Sequence, residues 1–409
     1  MYRSLLLVIV AACAVEPAPE ELASTTQALS ATRDHVAGDV YHYSFTLRVG
    51  SGPNAVLHVD RVVRERAPWV PRHSSGAVMM LHGDFATFAT NFLPGVAPWL
   101  AERGLDVWGV DRRWAHATDT TDFATMGLAQ ELDDIGIALG FARATRLVTD
   151  GSVERLALVG FSRGGELAYF YAAREATRPA LQRHVKAIVP LDVYVSLPAD
   201  EPIRASLCEG AAIEQEIVAG GEVDSPNDFQ IALGQGALAT PDAQNPFQGF
   251  YPGLTFREAV LALVGQTYQV FQPSPVYHFN GPTLADGAVT GLRFSPEPVI
   301  DRWLANAPPH QAWAESADTD AQSCGDAPPL DLPLSRIRVP LLLIAVAGGY
   351  GERALFSTTQ VGSPDVTTRV IRQLPVAQEA EDFGHADLLY APAAEALAWQ
   401  PLLAWLSTH

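Results

Sequence analysis

The chain has 409 residues, 48% hydrophobic and 18% charged, which supplies apolar material for a substantial core and argues against wholesale disorder. Its 46 acidic and 27 basic residues leave a formal charge of −19. Such a surface repels a phosphate backbone, so no nucleic acid partner is expected, and a soluble acidic exterior suffices to explain the charge.

In chain order, "MYRSLLLVIVAAC" comes first: one basic residue, Arg3, an apolar run from Leu5 to Val10, and small residues before Cys13. The run is too short to span a bilayer and has the layout of an export signal. Val10-Ala11-Ala12-Cys13 resembles a bacterial lipobox, in which the cysteine is lipidated and becomes the mature N-terminus. Ordinary cleavage at a small residue, after Ala14, is the alternative. Residues 1–13 are therefore expected to be signal and lipobox. Residues 14–38, with much Pro, Ala, Glu, Ser and Thr, are expected to be a linker. The expected location is exported, as a bacterial cell-envelope lipoprotein or a secreted protein. With Cys13 lipidated, Cys208 and Cys324 remain. In an oxidising compartment that pair points to a disulfide, with two separate buried thiols as the alternative.

"VYHYSFTLRV" and "NAVLHVDRVVRER" alternate apolar and polar residues around "GSGPN", the pattern of an antiparallel hairpin. "GAVMMLHG" is a continuous apolar strand, followed by a helix ending at "WLAERG" and the strand "LDVWGVD". "MGLAQELDDIGIALGFARA" has apolar residues at helical spacing. The strand "RLALVG", the helix "GGELAYFYAARE" and the strand "VKAIVPLD" complete this stretch. From residue 193 to about 335 the alternation stops, and short helices, prolines and aromatics take over. Within it, "FREAVLALVGQTYQVF" carries Phe256, Val260, Leu263 and Val264 on one helical face. Alternation returns with the strand "VPLLLIAVAGG", a helix near "RALFSTTQ", the strand "VTTRVIRQLP", a loop containing "DFGHADLL" and the helix "AEALAWQPLLAWL". The fold class is α/β: a mostly parallel sheet with helices on both faces, from residues 39–192 and 336–409. Residues 193–335 form a cap inserted between the sixth and seventh strands.

Gly160-Phe161-Ser162-Arg163-Gly164 sits where the fifth strand becomes a helix. A chain of this composition contains G-x-S-x-G by chance about 0.1 times, so the flanking strand and helix carry the assignment as a nucleophile elbow. The turn is tight enough that side chains at 160 and 164 would clash. It lifts the Ser162 hydroxyl above the sheet edge and turns the Arg163 N–H toward a nascent negative charge. A hydroxyl attacks poorly without a base, and histidine suits that role near neutral pH. Of eleven histidines, His385 in "EDFGHADLL" lies in a loop after the last strand. His82 in "LHGD" is expected to shape its own loop. His42, His58, His73, His116, His184, His278, His310 and His409 read as surface or packing residues, and no pair has metal-ligand spacing, so neither metal nor cofactor is expected. The second oxyanion donor is expected from the backbone N–H of Asp84 or Phe85, with the acidic side chain of Asp84 turned away.

These stretches together resemble the α/β-hydrolase superfamily over roughly residues 40–192 and 336–409. "LHGDFATFATNF", "LAERGLDVWGVDRR", "GFSRGG" and "DFGHADLL" look like the corresponding motifs of acid-lipase-type lipases and esterases. The resemblance implies a Ser–His–acid triad and ester hydrolysis through an acyl-enzyme. A serine nucleophile argues against dehalogenase or epoxide hydrolase chemistry. The usual acid follows the seventh strand in a G-x-x-D context, yet "LLLIAVAGGYGERALF" offers only Glu352. Asp192, ending "VKAIVPLD", is the favoured acid, as in platelet-activating-factor acetylhydrolases with their "ALD" ending. It follows a rigid strand, whereas Gly348, Gly349 and Gly351 are expected to make the Glu352 loop flexible. Asp365 simply starts the next strand. The expected partner is a small ester with an apolar acyl group held by the aromatic-rich cap, with membrane association through a lipid anchor. The competing class is a binding or scaffold lipoprotein that keeps the fold without turnover.

Overall fold

The computed structural model describes residues 29–267 and 277–409. The signal, Cys13 and the first half of the expected linker lie outside the described residues, as does the "YQVF" end of the segment read as helical.

One sheet carries the molecule. Its strands are β1 (Leu29–Ala37), β2 (Val40–Arg48), β3 (Val56–Ala67) with the short β4 (Val70–Pro71) beside it, β5 (Gly76–Leu81), β6 (Leu105–Asp111), β7 (Leu156–Phe161), β8 (Val185–Leu191) and, after the hairpin of β9 (Pro282–Ala285) and β10 (Ala288–Leu292), β11 (Leu341–Val346) and β12 (Val366–Ile371). The spatial order is β1-β2-β3-β6-β5-β7-β8-β11-β12. Pairing is antiparallel from β1 to β6 through β3, then parallel from β6 to β12. The continuous apolar runs have a direct physical cause. Successive side chains of a strand point to opposite faces, and here both faces are covered. Val78 and Met80 enter one core while Ala77, Met79 and Leu81 of the same strand enter the other. Helices α1 (Val96–Glu102), α2 (Leu128–Asp150) and α3 (Arg163–Glu175) cover the sheet, α1 on the first face and α2 with α3 on the second.

Residues 29–37 correct the expected linker: they form β1, paired antiparallel along β2. Gly38, at φ 54°, makes the turn. Arg33 is held by the carboxylate of Glu65 and lies over the ring of Tyr41, 3.7 Å from its centroid. The strand is polar along most of its length because it is an edge, with cross-strand pairs supplying what burial does not.

Between β8 and β11, the sixth and seventh strands of the expected plan, the chain inserts α4 (Pro202–Ala219), α5 (Asp228–Ala239), α6 (Phe256–Gly265), the β9–β10 hairpin, α7 (Glu297–Ala305) and α8 (Trp313–Cys324). Leu233 of α5, Val260, Leu263 and Val264 of α6, and Ile300 and Trp303 of α7 belong to the same apolar cluster as Val78 and Met80. This half of the cap is part of the main core. The α6 face read from periodicity is the buried one, with Phe256 half-buried at its start. Thr255 caps α6, accepting from the Glu258 N–H while the Glu258 carboxylate accepts from the Thr255 N–H at 2.8 Å. The other half is stapled: Cys208 of α4 and Cys324 of α8 form a disulfide across 116 residues. After β12 the chain ends in α9 (Gln400–Leu406), entered through a π-helical turn at Glu395–Trp399. Among the described residues no helix is long and apolar enough to cross a membrane.

Candidate active site

Ser162 stands between β7 and α3 at φ 55°, ψ −129°, a conformation that L-residues rarely adopt. Its two flanking glycines make this possible. A Cβ at Gly160 would lie 2.0 Å from the Gly164 carbonyl oxygen, and one at Gly164 would lie 2.1 Å from the Leu81 carbonyl oxygen. Both obstacles are backbone and cannot swing aside. The Ser162 N–H donates to Leu191 O at 3.1 Å, tying the elbow to the end of β8. Ser162 is half-buried, and the Arg163 N–H opens α3.

Asp192 follows β8 directly. Its backbone is also left-handed, at φ 46°, which Asp tolerates better than most residues, and its N–H is bonded to Ile344 O at 2.7 Å. The side chain is fully buried. Oδ1 accepts the N–H groups of Val346 at 3.0 Å and Tyr350 at 3.2 Å, and Oδ2 faces His385 Nδ1 at 2.7 Å. The structure thus brings Asp192 to His385. It does not bring Glu352 there: Glu352 lies exposed on the turn Gly351–Arg353. The expectation that the neighbouring glycines loosen this loop is corrected too. A Cβ at Gly349 would sit 2.0 Å from Asp192 Oδ2, and one at Gly348 would sit 2.3 Å from His278 Nε2. The glycines let the loop close down on the carboxylate.

His385 is buried, with the Phe161 ring 4.5 Å away centroid to centroid and the Tyr277 ring 5.4 Å away. Its Nε2 has no hydrogen-bond partner among the described residues, so the serine hydroxyl is not bonded to it in this conformation. The loop around it is anchored by the cap. His385 N–H donates to His278 O at 3.0 Å and Ala386 N–H to Phe279 O, while His278 N–H donates to Gly348 O at 2.9 Å. Asp387, in the quoted "GHAD", is also buried and accepts the N–H groups of Gly384 and Gly281, each at 2.8 Å, and the Asn280 amide at 3.0 Å. Neither His278 nor Asp387 stood out as a site residue in the sequence. The signal available for Asp387 was its place two residues after His385.

The loop read from the sequence as the oxyanion loop carries His82, Gly83, Asp84 and Phe85. His82 shapes it: Nδ1 faces Gly83 O at 2.8 Å, and Nε2 accepts the Arg112 N–H at 3.2 Å. Burial, reinforced by the Arg112 charge, pushes the imidazole down to about 3, so it is neutral. The Phe85 N–H is already donated to Gln311 Oε1 at 3.0 Å, which leaves the Asp84 N–H as the loop's candidate donor. The Asp84 carboxylate turns to Gln311 Nε2 at 2.8 Å and toward Arg163 Nε at 3.3 Å. Burial opposes its ionisation, but the Arg163 and Arg112 guanidiniums outweigh burial and hold the carboxyl below its ordinary value. Arg163 also bonds Glu166 at 2.6 Å and the cap residue Asp320. Burial, with the charges of Asp320 and Asp84, pushes Glu166 up to about 8 against the pull of Arg163. Gln311, 226 residues along the chain from Phe85, had no signal in the sequence.

Two clusters of cap aromatics differ in what they touch. Tyr277, Phe279 and Trp303 lead toward His385, with Phe279 and Trp303 rings 5.6 Å apart. Phe247, Phe250 and Tyr251 pack around Phe229, as cap packing.

No family model matches the chain, and no curated protein matches it in sequence. Solved structures do match. A protein from Sulfolobus solfataricus provisionally described as a lipase superposes with a TM-score of 0.62 at 16% identity, over 94% of this chain and 99% of its own. A soluble variant of monoglyceride lipase from Saccharomyces cerevisiae, solved with a substrate analogue, superposes at 0.51 and 10% identity, over 96% and 98% of the two chains. A hypothetical protein from Pseudomonas aeruginosa gives 0.51 at 14%, over 92% and 96%. At such identities the likeness establishes the fold, which is the α/β-hydrolase fold.

Proposed function

We propose that this α/β-hydrolase-fold chain is a serine hydrolase that cleaves carboxylic esters through an acyl-enzyme. The observation that carries this is the Asp192–His385 contact at 2.7 Å, with the imidazole's other nitrogen buried and without a hydrogen-bond partner among the described residues, and with its ring 4.5 Å from that of Phe161, the residue before the elbow serine at φ 55°. Asp192 accepts the Nδ1 proton of His385, which leaves Nε2 as the basic nitrogen. Ser162 Oγ attacks the ester carbonyl carbon as its proton passes to Nε2. The tetrahedral oxyanion takes the N–H groups of Arg163 and Asp84. His385 then gives the proton to the leaving alkoxide, releasing alcohol and an acyl-Ser162 ester. Water, deprotonated by the same nitrogen, attacks that ester and frees the acid. Tyr277, Phe279 and Trp303 offer an apolar wall to the acyl group.

We also propose export, with Cys13 as a lipid anchor. The Cys208–Cys324 disulfide supports an oxidising compartment. Metabolic labelling with a palmitate analogue tests the anchor: label on wild type and none on Cys13→Ser is expected, and an unlabelled wild type leaves plain secretion. The catalytic reading is tested with p-nitrophenyl esters of increasing acyl length. Wild type is expected to hydrolyse them, while Ser162→Ala and His385→Ala fall to near the uncatalysed rate. Turnover retained by Ser162→Ala would end it.

A further inference from the structure

We infer that Gln311, a cap residue, is a positioning residue that presets the oxyanion loop; this rests on the esterase reading above. The loop has an awkward polarity. Its second donor, the Asp84 N–H, belongs to a residue whose own side chain is an anion. A carboxylate so close to a developing oxyanion would oppose the charge that the site must stabilise. The neighbouring N–H, that of Phe85, needs an acceptor of its own, and Phe85 itself is held in the left-handed region at φ 47°.

One amide meets all of these demands. Gln311 Oε1 accepts the Phe85 N–H at 3.0 Å, and its Nε2 donates to Asp84 Oδ1 at 2.8 Å and to Ser316 Oγ at 3.1 Å. The orientation of the amide is fixed by its partners, since a carboxylate cannot face the oxygen and an N–H cannot face the nitrogen. The side chain is buried, only 2% exposed. Its backbone is pinned within the cap, donating to Ser225 O at 3.2 Å and accepting from Ser225 N–H at 2.8 Å. Gln311 therefore holds the 84–85 peptide plane through the Phe85 N–H and the Asp84 side chain through its carboxylate, two restraints that meet at the Cα of the residue whose N–H is the donor. It shares the Asp84 carboxylate with Arg163, Gln311 Nε2 lying 2.8 Å from Oδ1 and Arg163 Nε 3.3 Å from Oδ2. Because Gln311 hangs from the segment between α7 and α8, the cap sets the geometry of a donor that the core supplies.

Gln311→Leu removes both contacts, and Gln311→Glu sets a carboxylate against a carboxylate. Activity is measured per reactive serine, counted by fluorophosphonate titration, so misfolded protein does not contribute. Each single variant is expected to lower kcat about 10²-fold, the cost of roughly 1 Å of misplacement, with KM changed less than about threefold. The decisive variant pairs Gln311→Glu with Asp84→Asn. The new carboxylate can accept both the Phe85 N–H and the new amide at 84, so the grip is rebuilt with its polarity reversed, and most of the lost kcat should return. A merely structural role would lower thermal stability without this reciprocal rescue. Wild-type kcat in both single variants, a loss confined to KM, or no recovery in the double variant would overturn the inference. A wild type that neither titrates nor turns over esters would instead overturn the esterase reading itself.

Discussion

Two carboxylates flank the elbow, Asp192 fully buried and Asp84 half-buried, and they are held in opposite ways. Asp192 receives backbone N–H groups from Val346 and Tyr350 plus one imidazole, under a loop whose glycines leave no room for a Cβ. Asp84 is held by side chains, Arg163 and Gln311, in a cluster that also contains Glu166 and Asp320. The first arrangement uses fixed backbone dipoles. The second has more carboxylates than guanidiniums around Arg163, so its balance depends on which of them is protonated. On the proposed reading, the difference separates an acid that orients a base from a cluster that joins the cap residues Gln311 and Asp320 to the core.

The largest expected effect comes from Asp192→Asn. An amide there keeps one oxygen for the Val346 and Tyr350 N–H groups, which turns its NH₂ toward His385 Nδ1. The imidazole proton must then move to Nε2, and the base is lost. Turnover should fall by up to about 10⁴-fold, while Glu352→Gln, altering an exposed residue, should stay near wild type. Steady-state kinetics of the two variants side by side checks this, and the reverse pattern would move the acid to Glu352. Gly349→Ala attacks the same region by sterics. A methyl 2.0 Å from Asp192 Oδ2 must displace the carboxylate, and about 10² in kcat should be lost though no charged group has changed.

On the cap side the effects are on stability. Cys208→Ser opens a loop of 116 residues, and the chain-entropy model puts the loss at about 4–5 kcal/mol, read from denaturant midpoints. Glu166→Gln should act through pH. A carboxyl raised to about 8 in the folded state and near 4.5 when unfolded favours folding below about pH 4.5, and that stability is lost as pH rises through about 8. Melting temperature should therefore decline between these limits, at most about 1.4 kcal/mol per pH unit for one group. The variant, permanently neutral at 166, should show a flatter decline. An unchanged slope would place the titration on another residue.

The same contrast explains what could be read from the amino acids. The elbow was legible because its pattern is local: Gly160, Ser162 and Gly164 fall within five residues and Gly160 closes on Gly164, although the carbonyl that excludes a Cβ at Gly164 belongs to Leu81. The inner parallel strands β5, β7, β8 and β11 were legible because burial on both faces demands unbroken apolar runs. β1 was not, since "LSATRDHVA" takes its order from pairing with β2 and from Arg33 meeting Glu65, neither visible in its own pattern. The Gly348–Gly351 loop was misread because glycine marks both flexibility and close approach, and only the position of Asp192 tells them apart. The loop carrying Asp84 was half legible: its place was plain, but the choice between Asp84 and Phe85 hangs on Gln311, far along the chain.

Covalent trapping bears most directly on the claim that the Asp192–His385 pair activates Ser162. Wild type, Asp192→Asn and Glu352→Gln would be treated with a fluorophosphonate, the labelling rate followed, and the adduct located by peptide mass spectrometry. A single adduct on Ser162, formed rapidly in wild type and Glu352→Gln and slowly in Asp192→Asn, is the expected result. An adduct on another residue, or equal rates in all three proteins, would contradict it.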